Sequence, residues 1–297
     1  MKFSKLQATG NDFILVDARN MEQDWSKLAQ TMCQRHFGIG ADGLILVQNS
    51  NIADLKMRMF NPDGSEAEIC GNGLRCFTKY AIEKGIVDEV SLRAKRGNLY
   101  LAIETLSGIR KARAYVSGDK VDQVEVSMGL PEFEPERIPV TLTTDAIASR
   151  SSSIIARNKV TKQSPIITYQ LTVSLLSMGN PHAVSFTSDP VASFPLSQVG
   201  PRVERHPLFP QRTNFEIARV LSRKRIEARV WERGAGETLA CGSGACAIAV
   251  AARLLSYVDN QVDIILPGGT LTLFWDRVGE VLLSGSVEEV FSGEYST

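Results

Sequence analysis

The sequence predicts a mixed α/β (α+β) protein built from two similar halves, and three observations carry that reading. The segment Met59–Cys76, MFNPDGSEAEICGNGLRC, recurs as Val230–Ala247, VWERGAGETLACGSGACA, at an offset of 171 residues. Phe60 then matches Trp231, Glu66 matches Glu237, Cys70 matches Cys241, Gly71 matches Gly242 and Gly73 matches Gly244. A second pair lies upstream, where Gly10-Asn11 precedes the apolar run Phe13–Val16 and Gly179-Asn180 precedes Ala183–Phe186. The interval from glycine to cysteine is 60 residues in the first copy and 62 in the second. Third, both CGxG segments lead into helical runs, Leu74–Lys84 stopped by Gly85, and Ala245–Leu255. Ordered matches at near-equal intervals point to an internal duplication, with halves of roughly 120 to 150 residues. A pseudo-twofold relation would let equivalent residues face each other across a cleft.

The remaining elements follow from local patterns. Asp24 is placed to N-cap a helix carrying Trp25, Leu28, Ala29, Met32 and Cys33 on one face, ended by Gly38. Leu44–Val47, Lys56–Phe60, Gln123–Met128 and Arg225–Trp231 read as strands from their β-branched or alternating apolar residues. The stretch Pro131–Gln170 is weakly patterned, contains Ser151-Ser152-Ser153, and reads as a surface connection between the halves. Gly38–Gly43, GIGADG, has the spacing of a dinucleotide fingerprint, but a helix precedes it and a strand follows. A nucleotide site needs the reverse order. The segment is therefore read as a helix-ending turn.

Composition narrows the functional classes. Lysine plus arginine and aspartate plus glutamate are equal, at 33 each, which gives no electrostatic case for nucleic acid or an anionic membrane. A small-molecule partner is the expectation. The first ten residues, MKFSKLQATG, lack the apolar core of a signal peptide. The most apolar late stretch, Ala245–Val258, is short and interrupted by Arg253, so no bilayer span is expected. Five cysteines, an odd number in a chain of this size, do not suggest a disulfide framework. A cytoplasmic protein with reduced thiols is expected.

The chemistry centres on Cys70 and Cys241, each at the turn opening a helix and followed by glycine, a small polar residue and glycine. A helix N-terminus presents unpaired N–H groups and partial positive charge, which favours a thiolate. Glycines allow close approach, so the same N–H groups can hold a carboxylate. With two such cysteines on opposite walls of a cleft, one removes an α-proton as thiolate. The other delivers a proton to the opposite face as thiol, while the bound carboxylate becomes enolate-like. Cys33, Cys76 and Cys246 fall inside helical patterns and read as small buried hydrophobes. The spacings of Cys70, Cys76, Cys241 and Cys246 are not those of a zinc knuckle, so neither metal nor cofactor is expected.

Six segments resemble the diaminopimelate epimerase family, in family order and over nearly the whole chain: TGNDFILVD (Thr9–Asp17), GIGADG (Gly38–Gly43), FNPDGSEAEICGNGLRC (Phe60–Cys76), MGNPHAV (Met178–Val184), RTNFEIA (Arg212–Ala218) and ERGAGETLACGSGACA (Glu232–Ala247). The resemblance implies two pseudo-symmetric halves, each a curved, mostly antiparallel sheet or barrel around a central helix, with the active site in the cleft between them. It implies a first half over 1–122 carrying Cys70, completed by a C-terminal strand at 284–297, and a second half over 123–283 carrying Cys241. It further implies epimerisation of LL-diaminopimelate to the meso form by a homodimer, independent of pyridoxal phosphate, in lysine and peptidoglycan precursor synthesis. Cys70 and Cys241 would be the acid/base pair, with Cys70 the base for the LL form, and Gly71-Asn72 and Gly242-Ser243 would hold the reacting carboxylate. Asn11, Asn61, Asn180 and Asn214 would line the site, and Glu232-Arg233 would clamp the distal amino-acid end. His182 and Glu232 would assist the cysteines, while His36 and His206 keep a structural reading. Some family members carry a glutamine contact where this chain has Gly43, so no contact is carried to that position.

Other readings compete. A proline or hydroxyproline racemase-type enzyme of the same fold would act on a ring without a second amino-acid end, which leaves Glu232-Arg233 without a task. A phenazine-pathway-type isomerase would not need both cysteines. In a different class, a thiol-redox protein would use a Cys70–Cys241 disulfide.

Overall fold

Burial alternates along Leu55–Phe60 and along Arg225–Glu232, as expected of strands with one face on a core. The computed structural model describes residues 1–68, 70–87, 98–141, 152–157 and 168–296. Two units emerge, Met1–Met128 with Leu282–Thr297, and Gly129–Val281. The first unit thus reaches Met128 rather than 122, because Lys120–Ser127 is bound into its sheet between Gly108–Ser117 and Leu282–Ser286.

In the first unit Lys2–Ala8 and Asn11–Asp17 form an antiparallel hairpin over Thr9-Gly10, both at positive φ. Helix α1 (Trp25–Met32) then crosses over to Gly43–Gln48, which pairs parallel with Asn11–Asp17. Leu55–Phe60 follows antiparallel, and helix α2 (Gly71–Glu83) leads to Asn98–Thr105, parallel to Leu55–Phe60. Gly108–Ser117 and Lys120–Ser127 extend the sheet antiparallel. Of the last residues, Leu282–Ser286 pairs with Lys120–Ser127 and Glu288–Glu294 pairs with Lys2–Ala8. Residues Gly71 to Ala81 of α2 are all buried, and the helix packs against strands from both ends of this series. The sheet therefore curves around it.

The second unit repeats this order. Thr168–Ser177 and Pro181–Phe186 form the hairpin, over a turn in which Gly179 takes positive φ like Gly10. Helix α3 (Leu196–Glu204) crosses to Asn214–Ser222, parallel to Pro181–Phe186, and Arg225–Glu232 follows antiparallel. Helix α4 (Gly242–Leu254) leads to Gln261–Leu266, parallel to Arg225–Glu232, with Gly269–Phe274 antiparallel beyond it. Residues Ala245 to Ala252 of α4 are buried without exception, as required of a helix apolar on every face. The duplication extends to side chains. Arg58 Nε donates to Glu66 Oε1 at 2.7 Å, and Arg229 Nε donates to Glu237 Oε1 at 2.8 Å, across equivalent short hairpins.

Two local expectations need correction. Helix α1 is capped by Asp24, whose side chain accepts from the Lys27 N–H at 3.1 Å, but it ends at Met32 with Cys33 as C-cap rather than running to Gly38. The N–H groups of Ile39 and Gly40 both return to the Met32 carbonyl, so the chain has already turned. Gly38 is needed in that turn, since a Cβ there would lie 2.2 Å from the Thr31 carbonyl oxygen. The stretch Pro131–Gln170 is also more structured than a bare connection, because Ser152–Arg157 forms a strand antiparallel to Thr168–Ser177. Residues 142–151 and 158–167 of that stretch, Ser151 included, lie outside the described residues. Among the described residues no helix is long and apolar enough to cross a membrane.

Candidate active site

Each CGxG segment places its cysteine at a helix N-cap. Cys70 has extended backbone (φ −143, ψ 117) and its Sγ accepts from the Gly73 N–H at 3.4 Å. Cys241 has nearly the same conformation (φ −123, ψ 117) and accepts from the Gly244 N–H at 3.4 Å. The sulfur thus satisfies a donor that the first helical turn leaves open. The second glycine of each motif is required by packing. A Cβ on Gly73 would meet Ile45 Cδ1 at 3.1 Å, and one on Gly244 would meet Glu216 Oε1 at 3.0 Å and Cys241 Sγ at 3.4 Å.

Around Cys70 a chain of amides is held from both ends. Its Sγ lies 3.8 Å from Asn11 Oδ1, which also accepts from Asn72 Nδ2 at 3.3 Å. Asn11 Nδ2 donates to Asp42 Oδ2 at 2.6 Å, and Asn72 Oδ1 accepts from Arg75 at 2.6 Å. Arg75 is wholly buried, donating also to Thr9 Oγ1 and to the Ser286 carbonyl. Gly71 and Asn72 are buried in the first turn, so three expected residues, Asn11, Cys70 and Asn72, share one hydrogen-bonded group. Asn61 is outside that group. It closes the turn after Leu55–Phe60, its Nδ2 donating to Ser65 Oγ at 3.0 Å.

The second unit surrounds its cysteine with acids. Asn180 Oδ1 lies 2.9 Å from His182 Nε2, and Glu216 Oε1 lies 2.7 Å from His182 Nδ1. The amide oxygen needs Nε2–H, so Nδ1 shares its proton with Glu216. His182 and Glu216 are both fully buried, and Glu216 Oε2 has no hydrogen-bond partner among the described residues. Burial pushes the Glu216 carboxyl up while His182 draws it back down. Asn214 pairs in register with His182, donates to the Pro181 carbonyl at 3.0 Å, and accepts from the Arg233 N–H at 2.8 Å. Glu232 Oε1 accepts from Thr238 Oγ1 at 2.6 Å, and the exposed Arg233 guanidinium touches the Gln211 carbonyl. Ser243 Oγ lies 3.4 Å from Cys241 Sγ.

These surroundings correct one expectation. Cys241 does not have the lowered pKa that a helix N-terminus alone suggests. Burial pushes its thiol well up, and the Glu232 and Glu216 carboxylates add to that, against the Ser243 hydroxyl and Gly244 N–H, which favour the thiolate. Cys241 therefore rests as the thiol. Cys33, pushed up to about 12 mainly by burial, and Cys76 and Cys246, also raised by burial, fit their place in the core. His206 is likewise structural, its Nδ1 accepting from the Leu208 N–H, and His36 is exposed.

The buried thiols make a pH prediction. Their folded pKa values lie above the unfolded value of about 8.5, so the stability they contribute is fully present below that pH. It is lost as pH rises through the folded values, about 12 for Cys33. The urea midpoint is expected to fall between about pH 8.5 and 10.5, and less steeply in Cys33→Ala. An unchanged slope in that variant would sink the assignment.

Arg75, Asp42, Thr9 and Glu216 were not among the residues the sequence singled out. Two carried a signal: Glu216 stands between apolar Phe215 and Ile217 in a strand, and Arg75 stands between Leu74 and Cys76 in a buried helix. A charge in such company needs a reason.

Comparison with known proteins gives the family. The family model described as diaminopimelate epimerase matches residues 3–134 and 174–290. A diaminopimelate epimerase of Moorella thermoacetica is 44% identical over 99% of both chains. One from Desulfovibrio desulfuricans is 43% identical over 99% of this chain and 98% of its own. In fold, a hydroxyproline epimerase of Agrobacterium vitis, crystallised with trans-4-hydroxy-L-proline, superposes with a TM-score of 0.64 at 13% identity, covering 99% of this chain and 90% of that one. The fold is thus shared with enzymes of other substrates, while sequence identity along the full length decides the family: this chain belongs to the diaminopimelate epimerases.

Proposed function

We propose that this isomerase inverts one α-carbon of LL-diaminopimelate to give the meso form, with Cys70 and Cys241 as its two proton-transfer groups. The observation that supports this most is the matched N-cap setting of the two thiols, both with extended backbone and each with a 3.4 Å contact to an N–H. Inversion needs a base on one face of the carbon and an acid on the other. Cys241, held as the thiol by burial and its two carboxylates, suits the acid role. Cys70, half-buried, then serves as base for the LL form. As the α-proton leaves, charge develops on the substrate carboxylate, where the N–H groups of Gly71-Asn72 and Gly242-Ser243 stabilise it. The distal end, another ammonium and carboxylate, suits Glu232 and the guanidinium of Arg233. His182 and Glu232 assist near the catalytic cysteines, and Asn11, Asn61, Asn180 and Asn214 read the remaining polar groups. No step in this scheme requires a cofactor. A cytoplasmic homodimer belongs to the same reading.

The test is proton exchange in heavy water with no added cofactor or metal. LL-diaminopimelate is expected to take up deuterium at one α-carbon as the meso isomer forms. Exchange of proline but not of diaminopimelate would overturn the substrate, in favour of a ring racemase. Activity that requires a Cys70–Cys241 disulfide, and vanishes with reductant, would favour a thiol-redox role.

A further inference from the structure

We propose that Arg75 is a positioning residue that locks the amides of Asn72 and Asn11 in one orientation beside Cys70 and biases that thiol toward the thiolate. The inference rests on the reading of Cys70 as a proton-transfer group. Arg75 has no solvent exposure, and its hydrogen-bond partners are neutral: Asn72 Oδ1 and Thr9 Oγ1 at 2.6 Å and the Ser286 carbonyl at 2.9 Å. Among the described residues no carboxylate pairs with it, and its Nε has no hydrogen-bond partner. A buried cation without a counter-ion costs stability unless something else requires it.

Two requirements are visible. A guanidinium can only donate, so it fixes the oxygen of Asn72 toward itself and turns Asn72 Nδ2 to Asn11 Oδ1. At the other end Asp42 Oδ2 accepts from Asn11 Nδ2, so neither amide can flip without losing a hydrogen bond. The oxygen of Asn11 is thereby presented to Cys70, where it accepts from the S–H and aims it. This contact favours the thiol, so the bias toward the thiolate comes from the charge of Arg75 alone. Charge is the second requirement. Arg75 lies on the same helix as Cys70, five residues on, and the two attract when the thiol ionises. Burial draws the guanidinium down only to about 10, so it remains charged at neutral pH.

Other charged groups near this helix start, among the described residues, are paired with one another or exposed. Asp42 and Asp12, on the loop and strand against it, pair with Arg35, and Asp12 also with Lys5. Cys76 is buried and neutral, Glu68 is exposed, and Met128 and Leu283 bring only apolar groups to Gly71. In the second unit the cysteine faces Glu216 and Glu232 instead. The two copies of one motif thus carry opposite electrostatic bias, which poises one thiol as base and the other as acid.

The test uses full-length protein and iodoacetamide, with Cys70 modification followed by mass spectrometry across pH. Arg75→Met is expected to slow Cys70 alkylation at pH 7 about fivefold or more and move the profile to higher pH. Arg75→Lys keeps the charge and loses the fork, so the alkylation profile should stay while kcat/KM falls about tenfold. If Arg75→Met does not fold, Arg75→Gln is read in its place. An unshifted profile in the neutral variant, or wild-type kcat/KM in Arg75→Lys, overturns the proposal. Full activity of Cys70→Ala would instead overturn the catalytic reading, leaving the alkylation result to stand by itself.

Discussion

Replacing Cys70 or Cys241 by alanine is expected to lower kcat/KM for diaminopimelate by about a thousandfold in each case, the range over which a positioned proton donor or acceptor acts. Both variants should fold. Each cysteine accepts one N–H at 3.4 Å, and losing a single cap contact costs about 1 kcal/mol, too little to unfold a buried helix. The two losses should also be non-additive, because either thiol without the other cannot complete an inversion. A finer outcome separates the roles. Cys241→Ala keeps the base proposed for the LL form, so residual deuterium uptake into LL-diaminopimelate without inversion is expected. Cys70→Ala should show that behaviour with the meso form instead. Mass and chiral analysis of recovered substrate distinguishes these cases. Epimerisation at the full rate in either variant would falsify the two-thiol mechanism.

The second large effect is expected at the distal clamp. Arg233→Met should lower kcat/KM for diaminopimelate by roughly a hundredfold or more, since a substrate carboxylate then loses a charge-assisted fork. The loss should appear in kcat as well as in KM, because binding energy from a remote end helps to hold the reacting carbon in place. The backbone at this position is secured independently of the side chain: the Arg233 N–H donates to Asn214 Oδ1 at 2.8 Å, and Thr238 holds Glu232 at 2.6 Å. The guanidinium itself is exposed and, among the described residues, hydrogen-bonds only a backbone carbonyl, so its removal should leave the fold unchanged. Arg233→Lys should recover part of the activity, as a point charge without the fork. Wild-type kinetics in Arg233→Met would place the clamp elsewhere.

How far the sequence reached is clearest at the repeated motifs. The match of Cys70 with Cys241 and of Glu66 with Glu237 is local information, carried by residue identity and spacing. The structure extends it to the Arg58–Glu66 and Arg229–Glu237 pairs and to the same succession of parallel and antiparallel strands in each unit. Local patterns also located the helix starts. They failed at the end of α1, where the stop is set by Met32 accepting from two distant N–H groups rather than by the glycine itself. They failed again in Pro131–Gln170, where Ser152–Arg157 pairs antiparallel with Thr168–Ser177 inside a stretch whose overall pattern is weak.

The sequence by itself determined the duplication, the α+β class, the family and the two cysteines with their glycine-flanked helix starts. Only tertiary structure decided how those cysteines differ. Arg75 reaches the Cys70 amide chain because the Leu282–Ser286 strand and the Thr9 turn close over it. Glu216 reaches His182 and the start of α4 because two strands lie parallel with His182 opposite Asn214. The shared CGxG pattern was legible as a repeat. A thiol's protonation, however, depends on burial and on charges brought from distant parts of the chain, and no local pattern records those.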